Sequence, residues 1–245
     1  MPTAPGSEIQ NLKQEIRRQL EANVDSAYLK ELKEFVPAES TMIGVRVPVI
    51  RDLVKKFHGE HRGITIELTS QLLTEFCKKR SREEILFGIF LLARFGRKFN
   101  AQTVPTLWKH INEWIEFIDN WETCDQLAMN VAGELLAIDL SLTKELVKWA
   151  RSDNTWRRRF AVATTTVINQ KGRRHAGETL AVCDPLMEDK EPVVQKAVGW
   201  ALREATRSDE RAVFDFLKGW KGKANRRIFR EGSQKLSPEF KAALA

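Results

Sequence analysis

Apolar residues recur along this chain every three to four positions, and nowhere do they alternate over the length of a strand. Leu12, Ile16, Leu20 and Val24 begin the pattern, and Tyr28, Leu29, Leu32 and Phe35 continue it up to Pro37. A link from Pro37 to Pro48, containing Gly44 and Arg46, leads into a helix carrying Ile50, Leu53, Val54 and Phe57. Pro48 suits the first turn of that helix, where no N–H is needed. After a break at Gly59 to Gly63 the spacing predicts helices over 66–79, 82–95, 104–115 and 121–138. Further helices are expected over 143–151, 155–169, 177–187, 192–207, 210–220, 224–235 and 238–244. The chain reads as all-α.

The helices also repeat. Asp153-Asn154-Thr155-Trp156-Arg157-Arg158-Arg159-Phe160-Ala161-Val162 aligns without gaps on Asp189-Lys190-Glu191-Pro192-Val193-Val194-Gln195-Lys196-Ala197-Val198, an offset of 36 residues. Trp121 precedes Trp156 by 35 residues, so Ile118 to Asp125 reads as the copy before. This period, with an Asp ahead of each helix and an apolar pair inside it, indicates stacked helical hairpins of the HEAT or armadillo kind. One repeat cannot bury its own apolar face, so the copies are expected to form a single solenoid domain, 1–245, with a concave basic groove. Residues 1–7 are expected to fray. In the 192–207 helix, Val194, Ala197, Val198, Ala201 and Leu202 are assigned to the core, and Gln195, Lys196, Gly199, Trp200 and Arg203 to the other face.

Composition narrows the function classes. Of 245 residues 42% are hydrophobic and 30% charged, as in an ordinary soluble protein. The longest apolar run, Ile85 to Phe95, is broken by Gly88 and Arg94 and falls short of the roughly 18 residues a membrane span needs. The start holds Pro2, Pro5 and Gly6 before a charged helix, so no secretion signal is expected. Cys77, Cys124 and Cys183 are spaced 47 and 59 residues apart, which matches neither a disulfide framework nor a zinc knuckle and fits a reducing, cytoplasmic setting. His58 and His61 have no third ligand at a recognisable spacing, and no Gly-rich phosphate loop or nucleophile elbow is present. No metal and no cofactor are therefore expected.

Charge is unevenly placed. Residues 1–149 hold 20 Lys and Arg against 21 Asp and Glu, a net −1, while residues 150–245 hold 20 against 12, a net +8. A localised basic excess marks a polyanion partner, with nucleic acid ahead of an anionic membrane, because phosphate contacts release counterions. Trp121 and Asp125 add a candidate chemistry. Four residues apart on a helix, they project from one face, and an indole beside a carboxylate suits a reaction that builds positive charge on a sugar. By residue type alone the pair reads first as a core anchor, Trp121, and a solvated or capping charge, Asp125.

Four stretches carry a resemblance: Gly44-Val45-Arg46-Val47-Pro48; Trp121-x-x-x-Asp125; Ser152-Asp153-Asn154-Thr155-Trp156-Arg157-Arg158-Arg159; and Gln195-Lys196-Ala197-Val198-Gly199-Trp200-Ala201-Leu202-Arg203-Glu204. Together, over about Tyr28 to Lys235, the chain resembles AlkD-type DNA alkylation repair glycosylases of the HEAT-like repeat superfamily. The resemblance implies a monofunctional glycosylase that excises N3- and N7-alkylated purines from duplex DNA without drawing the lesion into a base pocket. Asp125 would be the catalytic carboxylate, Arg159 its charged neighbour on the DNA backbone, and Trp121 and Trp200 the aromatic walls around the damaged nucleoside. For Arg159 the competing role is an ion pair with Asp153 inside its own repeat. Tyr28 would stand near the lesion, and Asn225-Arg226-Arg227 would hold the backbone. The full DNA-binding set is then Tyr28, Arg157, Arg158, Lys171, Arg173, Arg174, Arg203, Arg226 and Arg227.

The chain departs from the family where Asn120-Trp121-Glu122 replaces a common Trp-Trp-Asp, and where Cys124 replaces a branched apolar residue. The expected partner is double-stranded DNA carrying alkylated purines, met by a monomer. A non-catalytic HEAT-like DNA-binding module and a protein-interaction scaffold are the other readings. The basic excess counts against the scaffold, and retention of both Asp125 and Arg159 counts for the enzyme.

Overall fold

The stretch Arg82–Ala93 is apolar nearly all round, and a helix without a polar face has to be enclosed by others. In the computed structural model, which describes residues 5–36 and 38–244, every residue from Arg82 to Leu92 is buried. Helix packing groups into two units, one up to Val131 and one from Ala132 onward.

The first unit holds α1 (Pro5–Glu21), α2 (Ser26–Phe35), α3 (Val47–Glu60), α4 (Ile66–Lys79), α5 (Arg82–Ala93), α6 (Val104–Trp114) and α7 (Trp121–Leu127). Helix α5 packs against α3, α4 and α7, and α4 also packs against α1 and α6. Gly88 permits the close α4–α5 approach, since a Cβ there would stand 3.0 Å from the Leu73 side chain. The link before α3 is tied to α5 by a short bridge at Thr41 and Ser81, with Thr41 N–H donating to Arg80 O (2.8 Å) and Arg82 N–H to Thr41 O (3.0 Å). Among the described residues there is no strand beyond that bridge. Pro37 of the link lies outside the described residues, and so do Met1 to Ala4 of the expected frayed start; Pro5 to Ser7 already belong to α1.

The second unit holds α8 (Gly133–Ile138), α9 (Thr143–Trp149), α10 (Thr155–Thr164), α11 (Ala176–Cys183), α12 (Pro192–Thr206), α13 (Glu210–Gly219), α14 (Arg226–Gly232) and α15 (Pro238–Leu244). Here the hairpin stacking is plain. Helices α10, α12 and α14 pack side by side in one row, α9, α11 and α13 in a second, and α9 with α10, α11 with α12 and α12 with α13 join the rows. The sequence repeat lies in register with this stacking, because α10 and α12 begin at Thr155 and Pro192, within a residue of the aligned positions. The protein is an all-helical repeat fold.

Several expected helices are interrupted. The 121–138 stretch is α-helical to Leu127, winds as one π turn over Ala128–Ala132 and resumes as α8. The 155–169 stretch leaves the α form after Thr164 and closes in a 3-10 turn at Val167–Asn169. Thr164, Thr165 and Thr166 are all buried there, and each hydroxyl donates to a carbonyl three or four residues back (2.8, 2.8 and 2.7 Å), a competition that tightens helix ends. Pro185 helps end the 177–187 helix, which passes into a 3-10 turn at Asp184–Leu186. Among the residues of the apolar pattern, Phe35 is 72% exposed and Val24 43% exposed.

Candidate functional site

Helix α7 is built to hold a defined start. Asn120 caps it, its side-chain oxygen accepting from Thr123 N–H (3.0 Å), and its amide donates to Asp119 (2.9 Å). The other Asp119 oxygen accepts from the N–H (2.6 Å) and hydroxyl (2.8 Å) of Ser40 in the preceding link. The Asn that stands where the resemblance expects a first Trp is thus a fully buried cap. Cys124 is fully buried too, filling core where a branched side chain was expected.

Glu122 faces inward and meets Arg82 of α5, which donates from Nε at 2.6 Å and Nη2 at 2.5 Å. Arg82 has no exposed surface; its Nη1 donates to Glu83 (2.8 Å) and its Nη2 to the Tyr28 hydroxyl (3.3 Å). The Glu83 carboxylate in turn accepts from the N–H groups of Ile43 (2.9 Å), Gly44 (2.9 Å) and Val45 (3.3 Å). Burial alone would push the Arg82 pKa down, but the charges of Glu122 and Glu83 outweigh it and hold the guanidinium above its ordinary value. One buried cation therefore fastens α7, α5, α2 and the link together. Gly44 has to be glycine: its φ is +94°, and a Cβ would stand 2.8 Å from that of Leu29.

With Glu122 turned inward, Trp121 and Asp125 lie one turn apart on α7, both half-buried. The Trp121 indole N–H donates to the Phe35 carbonyl at the end of α2 (3.5 Å), and the two rings meet edge to face at 5.6 Å and 87°. Tyr28, also half-buried, carries the Arg46 guanidinium 4.4 Å above its ring, and Arg46 pairs with Asp25 (3.0 Å), the cap of α2. The π turn begins at Ala128, directly after α7, a distortion often found beside functional positions.

The second unit carries Arg159 and Trp200. Arg159 is buried on α10 (6% exposed), with Nη1 donating to the Val193 carbonyl at the start of α12. Trp200 is half-buried on α12. Its neighbours behave differently from the sequence expectation: Gln195 is buried and donates to Asp189 O (3.0 Å), and Gly199 is buried because a Cβ there would stand 2.7 Å from Glu231 Cβ of α14. Space beside Trp200 is thus taken by a helix, which explains the Gly-Trp pair.

Of the basic positions expected on DNA, several are engaged within the fold. Arg158 pairs with Asp189 (2.7 Å) and donates to the carbonyls of Ser152 and Asp153 (3.0 Å each), so it locks one repeat to the next. Arg203 and Arg227 converge on Glu231, at 3.6 and 2.9 Å. Arg173 and Lys171 reach Glu134 at 2.6 and 3.7 Å. The Arg157 guanidinium lies 5.2 Å from the Trp149 ring. Arg174 and Arg226 are exposed and reach no carboxylate among the described residues. Lys171, Arg173, Arg174 and Arg207 line a surface hollow of about 380 Å³ around Gly172.

Arg82, Glu83 and Phe35 were not singled out by the sequence; only Glu122, as a departure from a family pattern, pointed toward the network. His58 packs edge-on to Phe95 (5.6 Å), with burial and then Arg94 and Lys98 lowering its pKa, and His61 contacts Glu15 (3.1 Å). Among the described residues no three His, Cys, Asp or Glu side chains are grouped to hold a metal, and no helix is long and apolar enough to cross a membrane. The three cysteines are free and buried.

A solved structure described as a predicted DNA alkylation repair enzyme from Enterococcus faecalis is similar to the chain at a TM-score of 0.71 and 18% identity, covering 88% of this chain and 98% of that one. At that identity the likeness shows the fold alone. No curated protein matches the chain. Residues 16–236 match the family described as DNA alkylation repair enzyme, and over that span, which includes α7, α10 and α12, the chain belongs to that family.

Proposed function

We propose that this family member is a monofunctional DNA glycosylase that removes N3- and N7-alkylated purines from duplex DNA. The observation that carries the reading is Trp121 and Asp125 one turn apart on a helix that the buried Glu122–Arg82 pair fastens to α5. A purine alkylated at N3 or N7 is already cationic, so it departs with the glycosidic electron pair and needs no proton from an acid. The sugar left behind is oxocarbenium-like at C1′. One carboxylate beside it stabilises that charge and takes a proton from the water that forms the new C1′–O bond, which is why a single Asp125 serves where neutral glycosides need two acids. The ring faces of Trp121 and Trp200 attract the same positive charge, each by about 0.5–2 kcal/mol. Arg159 is assigned to a backbone phosphate, and exposed cations such as Arg174 and Arg226 to general attraction for the duplex.

In this reading the lesion is recognised by its weakened stacking and positive charge, without base flipping. Bulky cationic adducts are then tolerated and uncharged lesions such as uracil are poor substrates. The enzyme acts as a monomer without metal or cofactor in the cytoplasm. The test is single-turnover excision of 7-methylguanine at saturating protein. Asp125→Asn keeps shape and removes the charge, so the rate should fall roughly a hundredfold or more, corresponding to about 2–4 kcal/mol at the transition state, while DNA binding holds or tightens. Equal rates for the two proteins would leave a non-catalytic DNA-binding module as the better description.

A further inference from the structure

Among the described residues Phe35 is the most exposed large hydrophobic side chain, at 72% against 43% for Val24 and 41% for Ile138. Its position is unlike theirs, because its ring stands 5.6 Å from Trp121 at 87° and its carbonyl accepts from the Trp121 indole N–H. Two aromatic planes at right angles make an open corner on the first unit, one wall half-buried and one largely exposed. The α2 helix is anchored elsewhere: Leu32 is buried, the Tyr28 hydroxyl accepts from Arg82, and Val36, directly after the helix, is buried. Exposure of Phe35 is therefore not needed to hold α2 in place.

We infer that Phe35 stacks on a base of the DNA duplex next to the damaged nucleotide, filling the space left where stacking is weakened. The inference rests on the proposed glycosylase reading, which places the lesion at Trp121. Charge supports a base over a phosphate as the occupant. The exposed side chains of α2 around Phe35 are Lys30, Glu31, Lys33 and Glu34, which cancel, so the helix has no net attraction for phosphate and equally none for an anionic membrane surface. Every base also presents a π face on which a single ring can stack.

The test uses a duplex carrying a tetrahydrofuran abasic analogue with 2-aminopurine as its neighbour, alongside an undamaged duplex. Phe35→Ala should melt at the wild-type temperature, weaken binding of the abasic duplex about tenfold and leave the undamaged duplex less affected, as loss of one stacked base would. The salt dependence should not change, since no phosphate contact is removed. The 2-aminopurine signal, altered by wild-type protein, should stay near its free value with Phe35→Ala and return with Phe35→Trp. Phe35→Leu, which keeps apolar packing against Trp121, should restore neither. Wild-type affinity and signal in Phe35→Ala, or full rescue by Phe35→Leu, would overturn the inference and leave Phe35 a packing residue. Failure of the glycosylase reading shows separately, as unaltered excision by Asp125→Asn.

Discussion

The two units handle charge in opposite ways. Up to Val131 the chain holds 18 Lys and Arg against 18 Asp and Glu, and from Ala132 it holds 22 against 15, so the whole net charge of +7 belongs to the second unit. The first unit turns ions inward: Arg82, Glu83, Glu84 and Glu122 are all buried, and they join three helices and a link. In the second, apart from Arg159 and Glu204, the buried polar side chains are uncharged, among them Thr164, Thr165, Thr166, Asn169, Thr179 and Gln195. In the proposed glycosylase reading the difference separates two tasks. A carboxylate that must meet a sugar carbon needs a rigid backbone, which a fully paired buried network supplies. Attraction of a polyanion needs only surplus cations in solvent, and these tolerate loose placement.

The largest effect should come from the network of the first unit. Arg82→Ala leaves Glu83 and Glu122 buried without their cation, and breaking such a pair typically costs about 3–5 kcal/mol. Chemical denaturation should show that loss, and a drop under about 1 kcal/mol would mean water enters the site and the network is not what fixes α7.

The second unit should dominate the response to salt. Removing Arg174 and Arg226 together should lower the slope of log affinity against log salt by about 2, or one for each lost phosphate contact, whereas Lys30→Ala with Lys33→Ala in the first unit should leave it unchanged. Equal responses from the two pairs would erase the proposed division. Trp200→Ala should be milder than Asp125→Asn in excision rate, because it removes a contact surface and no charge; a loss as large as that of the aspartate would move the chemistry toward the second unit.

The smallest effect concerns acid. Asp25 accepts from the Tyr28 N–H and pairs with Arg46, and these contacts, the backbone bond first, hold its carboxyl below the usual range. Because the folded pKa is depressed, the contribution is present above the unfolded value of about 4 and is lost as pH falls through the folded one. Thermal melts of wild type and Asp25→Asn should differ slightly at neutral pH and converge in strong acid; a constant gap down to pH ~2 would contradict the carboxylate's role.

Helical class, repeat register and the Trp121–Asp125 pair were all legible in the residues, because they depend on local spacing: a 3.6-residue period, a 36-residue offset and an i, i+4 relation survive without any tertiary information. Val194, Ala197, Val198, Ala201 and Leu202 are buried as their pattern requires. What the pattern could not reveal were contacts between residues far apart in the chain. Arg82 and Glu122 are 40 residues apart, Ser40 and Asp119 are 79 apart, and nothing in their neighbours marks them as buried. Phe35 kept a core-like spacing yet lies in solvent, and Gly199 and Gln195 kept a surface-like spacing yet are covered, one by α14 and one by the turn at Asp189. Periodicity reports which face of a helix is apolar; which faces are then covered, and which charges are drawn inside, is decided only when the helices pack, since burial of an ion is tolerable only where its partners arrive from other elements.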